Sequence, residues 1–218
     1  MGRIFRDTDY TKQLIDFSAF LSNDTAIRHA TAQAILTGFQ RAGFIYLRNH
    51  GIDRSKVQTT FAQSSAFFKR PKSEKEQLAW TTPEANRGYV AQGREKVTDE
   101  TDPDKINTLR ELEGQDLKET LEIGREGEPG HPNHWPDYDE AGRAFKKVMV
   151  DFFAQCKGLH IQVMQAIAVG LGIDETWFDS FCDSGDNTLR LLHYPEVNSK
   201  VFKDNKNQVR ASAHSDYG

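Results

Sequence analysis

Phe145, Met149, Phe152, Cys156, Leu159 and Val163 recur at alternating intervals of four and three residues, a spacing that puts all six on one face of a helix. Trp135-Pro136-Asp137 precedes this stripe, and Gly170 and Gly172 follow it. The helix is therefore expected to begin after residue 137 and to end near one of those glycines. It is the longest periodic segment of the chain, and the second half is expected to be built on it.

Shorter elements flank it. Leu14-Ile15-Asp16-Phe17 reads as a short strand. A helix is expected from about Asp24 to Ala42, with Ile27, Thr31, Ala34 and Gly38 as its stripe, Asp24 as its cap and Gly43 as its stop. Phe44 to Leu47 is an aromatic and β-branched run closed by the turn residues Asn49-His50-Gly51. Val57, Phe61, Ser65 and Phe68 mark a second helix, stopped at Pro71. From Pro83 to Pro136 glycines alternate with charges and periodicity fades, the pattern of a long lid-like loop. Within it only Leu117 to Ile123 alternates as a strand does. Two more strands are expected, Thr188 to Tyr194 and Val209 to Asp216.

Composition narrows the classes. The 218 residues are 37% hydrophobic with 14 Phe, enough for one sizeable core. A net charge of -4 without a Lys/Arg cluster argues against nucleic acid as a partner. Two cysteines make no disulfide framework, and Cys156 lies in the apolar stripe as an inert core thiol. The N-terminus has no apolar signal region, Arg6 stands where myristoylation needs Ser or Thr, and no long uncharged apolar run occurs. The expectation is a cytoplasmic protein with no membrane partner.

Seven stretches, in order, carry a family resemblance: GFIYLRNHGI (43–52), FFKRPKSEK (67–75), RGYVAQGRE (87–95), DLKETLEIG (116–124), PNHWPD (132–137), LRLLHYP (189–195) and RASAHSDYG (210–218). Together they resemble the iron(II)/2-oxoglutarate-dependent dioxygenases of the isopenicillin N synthase-like class. The resemblance implies an α+β fold, a helical N-terminal region followed by the first strands of an incomplete double-stranded β-helix, or jelly roll. The implied divisions are an N-terminal region over 1–137, a packing helix and connection over 138–187, and the start of the jelly-roll core over 188–218. The implied activity is oxidation of a small organic molecule (hydroxylation, desaturation or cyclisation) with Fe(II), 2-oxoglutarate and O2.

Site residues follow from the same resemblance. His214 and Asp216 match two of the three ligands of a 2-His-1-carboxylate iron site, and their spacing puts both on one face of a strand. Tyr194 matches the tyrosine that contacts 2-oxoglutarate. Arg87 lies where lid-side substrate contacts occur, and an arginine suits a carboxylate-bearing substrate. Leu192 departs from plant-type members, which carry Asn there. Lys118-Glu119 is expected to form a structural ion pair, and Trp135 to anchor the long helix as a core aromatic. His193 should point away from the face of Leu192 and Tyr194. His131 and His134, three residues apart, form at most a metal half-site. Arg210-Ala211-Ser212 spells the family's R-x-S carboxylate clamp but precedes His214, about 13 Å along a strand.

The family's third iron ligand and its R-x-S lie beyond residue 218. The chain is therefore expected to be an inactive N-terminal fragment, prone to aggregate alone and monomeric when complete, since closing a jelly roll takes about eight strands. Two other readings stay open: a non-catalytic interaction module, or an oxidase of the same fold that uses no 2-oxoglutarate.

Overall fold

A computed structural model of the chain describes residues 14–80, 86–92, 117–204 and residue 210. It divides into two compact units, Met1–Thr60 with Val150–Asp186 and Phe61–Met149 with Asn187–Gly218.

In the first unit, strand β1 (Leu14–Asp16) bends into a 3-10 turn (Phe17–Ala19) because the Asp16 carboxylate accepts from Ser18 N at 3.2 Å and Ser18 Oγ at 2.6 Å. Helix α1 (Thr25–Ala42) has the ends its sequence prescribes. Asp24 Oδ1 accepts from Ala26 N (2.9 Å) and Ile27 N (3.2 Å), and Gly43, at φ 76°, returns its N–H to Phe39 O at 2.8 Å. Strand β2 (Tyr46–Arg48) pairs parallel with β1, Ile15 opposite Leu47. The expected α1 stripe is rotated: Ile27 and Ala34 are exposed, while Thr31, Ala32, Ile35 and Gly38 are buried. The rotation follows the core, where Ala32 and Ile35 pack with Phe17, Phe20 and Ala166.

Helix α2 (Arg54–Phe68) starts three residues before Val57 and stops short of Pro71 as expected, and Pro71 then opens a separate five-residue helix, α3 (Lys72–Glu76). Inside the stretch expected to be a loop, the second unit forms strand β3 (Gly88–Val90), all three residues buried. Strand β4 (Glu119–Ile123) forms where the alternation lies, but it is buried on both faces. Helix α4 (Glu140–Leu171) is the long helix, followed by the four-residue α5 (Asp179–Cys182). Strand β5 (Leu189–His193) leaves Tyr194 just past its end, and α6 (Lys200–Asp204) is short. The expected strand over 209–216 lies outside the described residues, apart from Arg210.

The second unit's sheet is antiparallel in the order β3-β4-β5. Val90 lies opposite Thr120 and Glu119 opposite His193. One side packs on an aromatic core: the Phe67 and Phe145 rings stack at 5.0 Å, and Trp135 meets Phe145 edge-on at 6.1 Å. Trp135 is buried, as a core anchor of α4 should be. Cys156 is half-buried, and burial pushes its thiol up, so it stays an inert thiol rather than a thiolate. No helix among the described residues is long and apolar enough to cross a membrane.

Candidate functional site

Alternation along the sheet sorts the side chains. Thr120 and Glu122 of β4 share a face with their cross-strand partners Leu192 and Arg190 of β5, and Tyr194 follows just past the end of the strand. Leu192 and Tyr194 are 46% and 40% exposed, so this face carries its apolar and phenolic groups outward. Glu122 is fully buried and takes Arg190 Nε at 2.7 Å on Oε1, an ion pair directly across the strands. Thr120 Oγ1, also buried on this face, meets no hydrogen-bond partner among the described residues. The face therefore offers a phenol, a guanidinium and an unsatisfied hydroxyl, a donor set suited to an anionic or carbonyl-rich ligand.

The opposite face holds a buried ionic cluster that nothing in the sequence pattern marks. Glu119 Oε2 accepts from Lys75 Nζ at 2.7 Å and from the Tyr89 hydroxyl, while Glu119 Oε1 lies 2.7 Å from His193 Nδ1. Lys75 Nζ also donates to Phe68 O at 2.9 Å, and the Phe68 ring stacks on the His193 imidazole with centroids 5.1 Å apart. Burial alone would raise the Glu119 carboxyl, but the bonds from Lys75, Tyr89 and His193 outweigh it and hold it below the usual carboxylate range. Burial, and then the Glu119 bond, push the Tyr89 phenol up. The ion pair expected at Lys118-Glu119 is thus made by Glu119 with Lys75, 44 positions earlier. His193 points away from Tyr194, as alternation requires.

Arg87 is buried, not solvated. Its Nη2 donates to Glu128 Oε2 at 2.8 Å and its Nη1 to Asn86 O at 2.9 Å. Gly124 lets this happen, since a Cβ there would stand 1.9 Å from Arg87 Cζ. Asn133 then pins Gly124 by accepting its N–H (2.8 Å) and donating to its carbonyl (2.9 Å). The PNHWPD stretch is therefore a clamp on this loop.

The histidines weighed as extra ligands are engaged elsewhere. His134 Nδ1 sits 2.9 Å from Ala79 O, His131 Nδ1 3.2 Å from Pro129 O, and His193 is on Glu119. No group of three or more His, Cys, Asp or Glu among the described residues is placed to hold a metal. His214 and Asp216 lie outside the described residues. An imidazole and a carboxylate are nonetheless the donor chemistry of a non-haem Fe(II) site, and the phenol of Tyr194 suits a carboxylate cosubstrate.

Comparison with known proteins gives one reading throughout. Residues 13–138 match the family described as non-haem dioxygenase in morphine synthesis, N-terminal. The 2-oxoglutarate-Fe(II) type oxidoreductase ppzD of Metarhizium rileyi is 31% identical over 206 residues, covering 94% of this chain and 57% of its own length. The proline hydroxylase buaE of Petromyces alliaceus is 29% identical, over 94% and 61% respectively. Among solved structures, a full-length Neurospora crassa protein in complex with alpha-KG and thymine superposes with a TM-score of 0.84 at 58% identity, over 94% of this chain and 62% of that one. The chain thus spans about three fifths of the length of these relatives. Such relatives account for the α+β architecture, a helical region leading into jelly-roll strands.

Proposed function

This chain belongs to the non-haem dioxygenase family, and from that premise we propose that its protein is an Fe(II)- and 2-oxoglutarate-dependent oxygenase acting on a small molecule, a pyrimidine base such as thymine. The observation that carries the reading is that the chain superposes along 94% of its length on a protein solved with alpha-KG and thymine, with the phenol of Tyr194 exposed just past the end of β5. His214 and Asp216 would hold the iron. With its keto-acid cosubstrate, the iron would supply the oxidising chemistry, one oxygen atom of O2 going to the substrate and the other to succinate as CO2 is lost. The Tyr194 hydroxyl would donate a hydrogen bond to a carboxylate of the cosubstrate and orient it. Glu122 holds Arg190 at the same face, where a guanidinium suits ring carbonyls.

Arg87 belongs to this proposal as a substrate-side residue whose guanidinium is delivered by Glu128. The jelly-roll core is taken to begin at residue 188, after the region over 1–137 and the packing helix and connection over 138–187. We place the protein in the cytoplasm as a monomer, with no nucleic acid or membrane in its reaction.

The test uses the protein at its natural length with Fe(II), ascorbate, 2-oxoglutarate and thymine in air, followed by mass spectrometry. A product heavier by one oxygen, formed one-for-one with succinate, is expected. Succinate without an oxidised pyrimidine keeps the oxygenase and removes the substrate class; no succinate with any organic substrate contradicts the reading.

A further inference from the structure

The pair Glu119–His193 is the last rung of the β4–β5 ladder, and Tyr194 is the next residue, beyond the paired strand. A strand end without a partner frays. Here it is pinned from three other elements: Lys75 from α3 and Tyr89 from β3 fix the Glu119 carboxylate, Glu119 Oε1 holds His193 Nδ1 at 2.7 Å, and the Phe68 ring of α2 stacks on the imidazole with an interplanar angle of 22°. His193 is thereby locked on one side of the sheet, and continued strand parity would turn the residue after it to the other. We propose that the Lys75–Tyr89–Glu119 cluster, acting through His193, is the positioning device that sets the Tyr194 hydroxyl for the cosubstrate carboxylate.

The inference rests on the reading of Tyr194 given above, and it goes further by making a buried, non-contacting cluster part of cosubstrate affinity. Glu119 and His193 are positioning residues. A binding group that must be held within about half an ångström loses affinity when its support is removed, and outer-shell partners of this kind are worth roughly tenfold or more.

The experiment is an anaerobic calorimetric titration of 2-oxoglutarate into the natural-length Fe(II) protein, for wild type, His193→Leu, His193→Asn, Tyr194→Phe and His193→Leu/Tyr194→Phe, with a melting temperature for each. His193→Leu is expected to weaken 2-oxoglutarate about tenfold. His193→Asn, whose amide nitrogen can take the place of Nδ1, should recover most of that loss. In the Tyr194→Phe background, His193→Leu should add little, because the effect passes through the hydroxyl. If His193→Leu does not fold, Phe68→Leu tests the same support from the stacking side and should likewise weaken 2-oxoglutarate only while Tyr194 is present. Tyr194→Phe binding as wild type overturns the reading of Tyr194 and this inference with it. Tyr194→Phe weakened while His193→Leu binds as wild type overturns this inference alone, and so does a full additive loss in the double variant.

Discussion

Arg70 forks onto Asp139, Nη2 to Oδ1 at 2.8 Å and Nη1 to Oδ2 at 2.9 Å, at the start of the longest helix. The same Asp139 Oδ1 accepts from Gly142 N at 2.6 Å, so one carboxylate both caps α4 and ties it to the end of α2 through Arg70. The bond from Arg70, followed by that from Gly142 N, holds the Asp139 carboxyl down at about 2.

Asp139→Ala removes cap and ion pair together, whereas Asp139→Asn keeps the cap. The alanine variant is expected to melt roughly 2–4 °C below wild type, a typical consequence of losing a cap in a chain of this size, with the asparagine variant in between. The folded carboxyl is depressed relative to an unfolded value near 3.9. Its contribution is therefore complete above about pH 3.9 and lost as pH falls through about 2. Melting curves of wild type and Asp139→Asn should converge below that range.

Helix α1 was legible because its ends carry their own chemistry: an aspartate that accepts two backbone N–H groups and a glycine that tolerates positive φ. The α4 stripe was legible because six apolar residues keep step with the helical period. Strand β3 was not, since three residues beginning at Gly88 give no period to read, and α3 hid behind a proline that stops one helix and opens the next. At the site, strand parity put His193 on the side of Glu119, where it lies against the Glu119 carboxylate. The partners of Glu119 were beyond such reasoning: Lys75 is 44 positions away and His193 74, and only the folded sheet joins them. Arg87 misleads in the same way, a loop arginine by sequence and a buried one in space.

The Lys75–Glu119 pair predicts an asymmetry between breaking and removing a buried charge pair. Both side chains are nearly buried. Lys75→Met leaves the Glu119 carboxylate without its lysine, held only by Tyr89 and His193, and is expected to cost roughly 3–5 kcal/mol of stability, measured by denaturant unfolding, while Lys75→Met/Glu119→Leu should recover part of it. Equal loss in both would mean that packing, not charge, dominates this pocket.

Stability against pH should show a plateau set in part by this cluster. Glu119 is depressed in the fold, so its contribution is present above its unfolded value of about 4.3 and lost on acidification through the lower folded value. Tyr89 is raised, so its contribution is present below about 10 and lost as pH rises through the higher folded value. Tyr89→Phe should weaken the alkaline limb of wild-type unfolding and, because its hydroxyl helps to depress Glu119, shift the acid limb toward higher pH.

Arg87→Lys separates two roles of the buried guanidinium. Lysine cannot make the fork to Glu128 and Asn86 O, so the melting temperature should fall. A rise in substrate KM at unchanged 2-oxoglutarate KM supports a substrate-side role. An unchanged substrate KM assigns Arg87 to the fold alone.

Tyr194→Phe removes one hydrogen bond to a charged group, a contact worth roughly 1.5–3 kcal/mol. The apparent constant for 2-oxoglutarate should rise by about ten- to a hundredfold with little change in melting temperature, because the side chain is 40% exposed. An unchanged constant would detach Tyr194 from the cosubstrate.

The central proposal is that His214 and Asp216 hold the iron for 2-oxoglutarate turnover and that Tyr194 holds the cosubstrate. The most direct test is succinate formation by the natural-length protein in parallel with His214→Ala, Asp216→Ala and Ser215→Ala, each supplied with Fe(II), ascorbate and 2-oxoglutarate. In the strand expected over 209–216, residues 214 and 216 would share one face and 215 would take the other. Succinate is predicted from wild type and Ser215→Ala, and none above background from His214→Ala or Asp216→Ala. Turnover surviving in either of those two variants, or lost equally in Ser215→Ala, would contradict the account.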